Sequence, residues 1–215
     1  MKDNLIKIIV CILIAVLMVI GTTVGLAYGA RHAKAVIRLG EITVDSSTIT
    51  YVASFYKMKY IEKHDHEDAG DTVKFWQSLT EDGITHAEDF QQEFGEFMRL
   101  TVAKAYLYIE NHGYTQEDKL IVAKKSDGVL REYANGNIAE FNRVAEPYGF
   151  DYSDFQNADA LFYKADQADE LFPSMMGEEE YARRLAEACE LVKFDDYYDR
   201  IDLLEVPVIN DYYAR

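Results

Sequence analysis

The chain has 215 residues and a formal net charge of −16. Residues 1–35 contain four of the 22 basic and one of the 38 acidic side chains, so the remainder of the chain has a net charge of −19. A surface of this charge repels nucleic-acid phosphates, so we expect no nucleic acid among the partners. Aromatic residues make up 13% of the sequence, which is too many for an intrinsically disordered chain.

The N-terminal region contains one long apolar segment. Residues 8–30 include no charged side chain, and as a helix they would extend about 34 Å at 1.5 Å per residue. About 20 apolar residues span a bilayer core, so the segment is predicted to be a transmembrane signal anchor in contact with the lipid bilayer. A small-x-small pattern at Ala27-Tyr28-Gly29 or at Ala33-Lys34-Ala35 leaves cleavage open as an alternative.

The charges that flank this segment do not decide its orientation, because basic residues both precede and follow it. Long domains are translocated largely regardless of their charge, which favours the larger part of the chain outside. We therefore predict a single-pass protein of the cell membrane. It would have a cytoplasmic tail of residues 1–7, a span of 8–30, a linker of 31–35 and an extracytoplasmic domain of 36–215.

The domain is predicted to begin with a β-hairpin followed by a helix. Apolar and β-branched residues lie on both sides of Gly40-Glu41, which is typical of two strands and a tight turn. Asp45 or Ser46 is placed to cap a helix that ends near Glu62. One face of this helix is formed by Ile49, Val52, Tyr56 and Tyr60.

A short connecting element and a long helix follow. Phe75-Trp76 marks the connecting element. Thr85 and Glu88 have the spacing of a capping box, in which each side chain bonds the backbone N–H of the other residue. Apolar residues at helical spacing then continue to Gly113, a residue type that commonly ends helices.

Two further helices are predicted from Thr115 onward. The first begins at Thr115 and is separated by Gly136-Asn137 from a short helix over 138–148, which ends at Gly149. The stripe of the first helix that faces the core is predicted to be Leu120, Ala123, Asp127, Leu130 and Ala134.

The last third of the chain is predicted to contain two more helices and a strand. One helix begins at Asp151 or Ser153 and stops before Pro173, and the next covers 178–191. Residues 200–208 have a β-like pattern and are expected to pair with the N-terminal hairpin. The predicted fold class is therefore mainly α with a small antiparallel β element.

The order of these motifs resembles the N-terminal peptide-binding domain of SurA/PrsA-type foldases, over about residues 35–206. The resemblance implies a SurA N-terminal-like helical domain that holds unfolded or extended polypeptides outside the cytoplasm. Many members of that family also carry a parvulin prolyl isomerase domain, and here only nine residues follow Val206. We therefore expect no isomerase activity. The motifs that carry the resemblance are the run 36–45, the Tyr-rich helix with Tyr51 and Tyr60, Phe75-Trp76, the helix after Thr85 and the run 141–155.

A surplus of aromatic and methionine side chains on the first helix marks the candidate binding surface. Tyrosine and methionine suit adaptable surfaces that accept varied apolar side chains. The alternative is that these residues belong to the core, where large apolar side chains are usually found. The candidate peptide-binding residues are Tyr51, Phe55, Tyr56, Met58 and Tyr60.

No catalytic residue, cofactor, metal site or small-molecule substrate is predicted. The run His64-Asp65-His66-Glu67-Asp68 with Asp71 could ligate a metal, but the interpretation as a solvated loop is favoured. Cys189 lies among acidic residues that raise the pKa of a thiol, and it is interpreted as a small core residue.

The sequence therefore favours a membrane-anchored chaperone-like protein that binds unfolded or extended polypeptides and is not an enzyme. The alternative is a structural adaptor subunit that holds one defined folded partner at the membrane surface. Selectivity separates the two, because a chaperone binds many unfolded chains weakly and an adaptor binds one partner tightly.

Overall fold

A computed structural model describes residues 34–64 and 72–208. Among these residues, no helix combines the length and the apolar character that crossing a bilayer requires. The predicted span at 8–30 lies outside the described residues, as do residues 65–71, which hold most of the acidic run after His64.

The described chain is mainly helical with one small antiparallel sheet, which confirms the predicted fold class at this level. The strands are β1 (Ala35–Leu39), β2 (Ile42–Asp45) and β3 (Lys193–Phe194), and the helices are α1 (Ser46–His64), α2 (Val73–Gln77), α3 (His86–Asn111), α4 (Gln116–Ala134), α5 (Ile138–Ala145), α6 (Tyr152–Met176) and α7 (Glu178–Leu191). Two short 3₁₀ helices lie at Glu146–Tyr148 and Tyr198–Arg200.

The N-terminal hairpin is confirmed. β1 pairs antiparallel with β2 around a two-residue loop, and Leu39 lies opposite Ile42. Gly40 has φ +55°, a conformation that costs glycine little. A Cβ at Gly40 would lie 2.8 Å from Cε2 of Tyr106, so a side chain at this position would have to displace that ring.

The prediction of a strand at 200–208 was wrong. The third strand is β3, which pairs with β1 through Ile37 and Phe194. After Arg200 the chain runs in turns, because the Asp202 carboxylate accepts the backbone N–H groups of residues 204 and 205 and leaves them unavailable to a ladder. The segment still packs on the core, since Leu203 is only 3% exposed.

The helix starts follow the capping signals in the sequence. The Thr85–Glu88 capping box of α3 is present, and Thr115 and Asp118 form a second one at the start of α4. Asp45 accepts the backbone N–H of Thr48, and so it caps α1.

The predicted core stripe of α4 was wrong in three of its five positions. Leu130 and Ala134 are buried, but Leu120 is 63% exposed and its two neighbours in the predicted stripe also face solvent. The stripe that packs inward continues instead through Asp118, Val122 and Ser126. Two of these are polar residues with partners on other helices, so their burial does not follow from an apolar pattern.

Pro173 does not end α6, contrary to the prediction. The helix continues for three residues to Met176 and stops at Gly177, where φ is +91°. A proline costs a helix one backbone hydrogen bond and crowds the preceding turn, and the fully buried Phe172 beside it supports the helix there.

The core lies between α3 and α6, with α1 and the sheet covering one side and α7 packing against both long helices. Along α3 the fully buried side chains are Phe90, Phe94, Met98 and Val102, which recur at helical spacing.

Candidate functional site

The structure separates the five residues that the sequence singles out on α1. Tyr51 and Tyr60 belong to the core, with 9% and 2% of their surface exposed. The Tyr51 ring lies 4.8 Å from that of Phe150, and Tyr60 stacks on Trp76 at 5.8 Å. Burial is the first cause that raises the pKa of both phenols.

The other three residues, Phe55, Tyr56 and Met58, are half-buried. The Tyr56 ring packs on Phe97 at 4.7 Å, so much of it is already in contact with α3. The five side chains therefore do not line one groove, although Phe55 and Met58 retain some exposure. Their role in peptide binding stays a prediction.

A cleft of about 450 Å³ lies beside β2 and the first turn of α1. Its volume falls within the range of ligand sites, roughly 300–1,000 Å³. Its walls come from β2, from the end of α3, from the start of α4 and from the middle of α6. Its lining residues are Glu41, Ile42, Thr43, Val44, Thr48, Ile109, Tyr114, Lys119, Asn157, Ala160, Leu161 and Lys164.

One wall of this cleft is the open edge of a β-sheet. The strand order is β2-β1-β3, so β2 has a strand neighbour on one side only within the described residues. An edge strand presents backbone N–H and C=O groups that can pair with another extended chain. Natural proteins commonly block such edges, whereas this one faces a cavity.

The register of the hairpin identifies the residue that faces outward. With a two-residue loop, the flanking pair Leu39 and Ile42 exchanges hydrogen bonds, and the next pair does not. That next pair is Arg38 and Thr43. The backbone N–H and C=O of Thr43 therefore point away from β1, and the exposed Thr43 lines the cleft.

Two lysine side chains that line the cleft flank one aromatic ring. Lys164 Nζ lies 4.4 Å from the centre of the Tyr114 ring, and Lys119 Nζ lies 5.8 Å from it. In the part of the chain that the structure describes, neither ammonium group forms an ion pair with a carboxylate. Both cation–π contacts leave N–H donors free for a ligand.

These two lysines place positive charge in a cleft of a chain with an excess of acidic residues. Some other lysines have carboxylate partners, such as Lys104 with Asp169 and Lys125 with Asp159. Burial lowers the pKa of Lys164, and the neighbouring Lys119 lowers it further. A bound anion would relieve both effects, because an opposite charge favours the charged form of an amine.

Apolar side chains also line the cleft. Leu161 and Val44 are buried, and Ile109 is half-buried. The lining thus combines polar backbone, ammonium groups and apolar side chains. A bound peptide uses these features. The arrangement can therefore accept an extended chain that carries a carboxylate.

Sequence reasoning did not find this cleft. Lys119, Tyr114 and Lys164 lie in different elements, and no motif spacing connects Lys164 with the other two. The one available signal was β2 itself, since a short hairpin in a mostly helical chain leaves strand edges to be covered.

The thiol of Cys189 is half-buried, and its pKa is raised, as the sequence predicts in direction. Burial is the leading cause, ahead of the acidic neighbour Glu96, and Arg99 acts against both. The half-buried side chain packs against the core, which agrees with its interpretation as a core residue.

Comparisons with family models, with curated proteins and with solved structures gave no match to this chain. The resemblance to SurA/PrsA-type foldases therefore stays a prediction.

Proposed function

We propose that the protein binds extended polypeptide segments by adding them as a further strand along the open edge of β2. The observation that carries this proposal is that the outward-facing backbone of Thr43 lies in a cleft of about 450 Å³ instead of being covered. Strand addition uses main-chain hydrogen bonds for affinity and side-chain pockets for selectivity.

The lysines define the chemistry of the preferred ligand. Lys119 and Lys164 are suited to a carboxylate, either the C-terminus of the bound chain or an acidic side chain within it. A general chaperone gains little from such a charge requirement. The proposed ligands are therefore a restricted set of carboxylate-bearing chains, held at the outer face of the membrane to which residues 8–30 anchor the protein.

Peptide binding to the full chain in detergent solution tests this function. The probe is a short fluorescent peptide of alternating valine and serine with a free C-terminal carboxylate, and its C-terminally amidated twin is the comparison. Fluorescence anisotropy should show tighter binding of the free-acid form. Lys119→Met and Lys164→Met should each weaken that form by about three- to tenfold, because a carboxylate loses a charged partner.

Lys124→Met is the matched control, since Lys124 is exposed on α4 and does not line the cleft. It should leave the affinity unchanged. An equal loss of peptide affinity in all three variants would indicate attraction by the overall charge of the protein. If the wild type bound neither peptide, the proposal would be contradicted.

The number of captured partners distinguishes the adaptor alternative from the proposed peptide-binding function. Capture with the full chain from native membranes should retrieve several polypeptides that compete with the free-acid peptide. One folded partner that the peptide does not displace would favour the adaptor.

A further inference from the structure

A second cluster of chemically active side chains lies where the C-terminal end of α1 meets the first turns of α3. His64, Asp89 and Glu93 each offer one ligand atom, and these atoms all lie within 4.8 Å of one another. His64 is the last residue of α1, and the two carboxylates are one turn apart on α3. None of the three lines the cleft beside β2.

One side chain of this cluster has a buried polar atom without a hydrogen-bond partner among the described residues. This atom is Nε2 of His64. Buried polar atoms in folded proteins nearly always have a partner, so an exception indicates an ion or a water molecule that belongs there. The ring itself is held firmly, with the Tyr60 ring at 4.4 Å and the His86 ring at 5.3 Å.

The surroundings of the His64 imidazole disfavour its protonated form, which has no lone pair for a metal ion. Burial lowers the pKa of His64, and the nearby Lys63 and His86 lower it further. A neutral ring nitrogen with a free lone pair is the usual histidine ligand.

The two carboxylates have partners of the kind that surround metal ligands. Asp89 accepts a hydrogen bond of 2.7 Å from the Tyr60 hydroxyl, which also lies 3.0 Å from Nδ1 of His86. Such outer contacts orient ligating side chains in metal sites. Glu93 pairs with Lys63 at 2.7 Å, but Lys63 is 59% exposed, and an exposed ion pair is weak enough for a cation to displace.

We infer that His64, Asp89 and Glu93 bind one divalent transition-metal ion, with zinc as the type case. One imidazole nitrogen and two carboxylate oxygens suit zinc and its neighbours better than magnesium or calcium, which prefer oxygen ligands alone. Ligand atoms around zinc lie about 3.4 Å apart for bonds of about 2.1 Å, so side-chain movements of roughly 1 Å complete the site. Three protein ligands leave at least one position for water.

Titration of the metal-free full chain with Co²⁺ tests the site. An excess of Mg²⁺ occupies the general acidic surface. The wild type should bind one equivalent with a visible absorption band that Zn²⁺ removes. His64→Gln and Glu93→Gln should each weaken binding by more than about tenfold, since even outer-shell changes have effects of that size.

His112→Gln and Glu96→Gln are the matched controls, because both residues are exposed and lie elsewhere on or beside α3. They should bind as the wild type does. Absence of stoichiometric binding by the wild type, or equal affinity in all variants, would overturn the inference.

Lys63→Gln keeps the test independent of folding defects. It removes the ammonium group that competes for Glu93, so Co²⁺ affinity should increase by about two- to fivefold. An unfolded variant cannot give that gain. Unchanged or weaker affinity in Lys63→Gln would count against the site.

Discussion

The Lys57 side chain holds the C-terminal segment against α1. It is fully buried, and its Nζ donates to the carbonyl oxygens of Leu204 at 2.5 Å and of Val206 at 3.0 Å. It also lies 5.3 Å from the centre of the Trp76 ring. A buried ammonium group is tolerated only when its donors are satisfied, and here the partners come from a segment without regular structure.

Replacing Lys57 by Met should therefore destabilise the domain and loosen this segment. Two carbonyl groups lose a charged donor, which should lower the free energy of unfolding by about 2–3 kcal/mol. Thermal unfolding followed by circular dichroism measures the loss, and amide exchange should speed up over residues 201–208.

Lys124→Met provides the control at an exposed site, where the change should stay within about 0.5 kcal/mol. If Lys57→Met is no less stable than this control, the two carbonyl contacts do not hold the segment.

Three helices meet at the Asp118 carboxylate. Thr115 donates to it from the start of α4 at 2.7 Å, Tyr108 from α3 at 3.0 Å and Tyr163 from α6 at 2.8 Å. Burial alone would raise the pKa of Asp118, but the hydrogen bonds outweigh it and hold the pKa below its ordinary value. The charged carboxylate is thus part of the packing of α4 on the two long helices.

This arrangement makes the packing of α4 sensitive to acid. A carboxyl group with a depressed pKa in the folded state contributes stability that is present above its unfolded pKa of about 4 and is lost as the pH falls through the folded value. Asp118→Asn should therefore unfold at a lower temperature than the wild type at pH 6. The difference should shrink as the pH approaches 2.

Glu117→Gln, at the exposed neighbouring position in the same first turn, is the control and should show little difference from the wild type. A gap between Asp118→Asn and the wild type that stays constant with pH would exclude the ionised carboxylate as the cause.

At the level of elements, the turn and capping signals were reliable, whereas the stop at Pro173 and the strand pairing of residues 200–208 were not. The hairpin at Gly40, the capping box at Thr85 and the helix start at Thr115 depend on residues within four positions of one another, and all three are confirmed. The strand predicted at 200–208 depended on an alternating pattern alone. Asp202 gives that segment a local alternative to pairing, and β1 takes a different partner.

The buried face of α4 shows why a core of mixed polarity is hard to predict. Ser126 is fully buried because its hydroxyl donates to Asp159 on α6 at 3.0 Å. A pattern of apolar residues favours Leu120 instead, and that residue faces solvent. The burial of a polar residue depends on a partner in another helix, which periodicity does not contain.

The candidate cleft could not be predicted from the sequence for the same reason. Its parts are a strand edge and two lysines brought together only by the tertiary fold. The aromatic surplus on α1 was visible in the sequence, but Tyr51 and Tyr60 serve the core. A count of aromatic residues does not distinguish a binding surface from a large core.

At the scale of the whole molecule, we expect residues 36–215 to lie outside the cytoplasm and to stay with the membrane. The apolar run of residues 8–30 leads to this expectation. Protease added to intact cells after wall removal should digest the domain, and the domain should sediment with membranes. Protection until the cells are lysed would contradict the predicted orientation.

The central claim is that an extended chain pairs with the outward face of β2, and amide exchange at Thr43 tests it most directly. The free-acid peptide at saturation should slow exchange of the Thr43 N–H, because strand addition gives that group a partner. The N–H of Ile42 already pairs with β1 and should change little, which makes it an internal control. Unchanged exchange at Thr43 with the peptide bound would contradict the account and place the peptide elsewhere on the molecule.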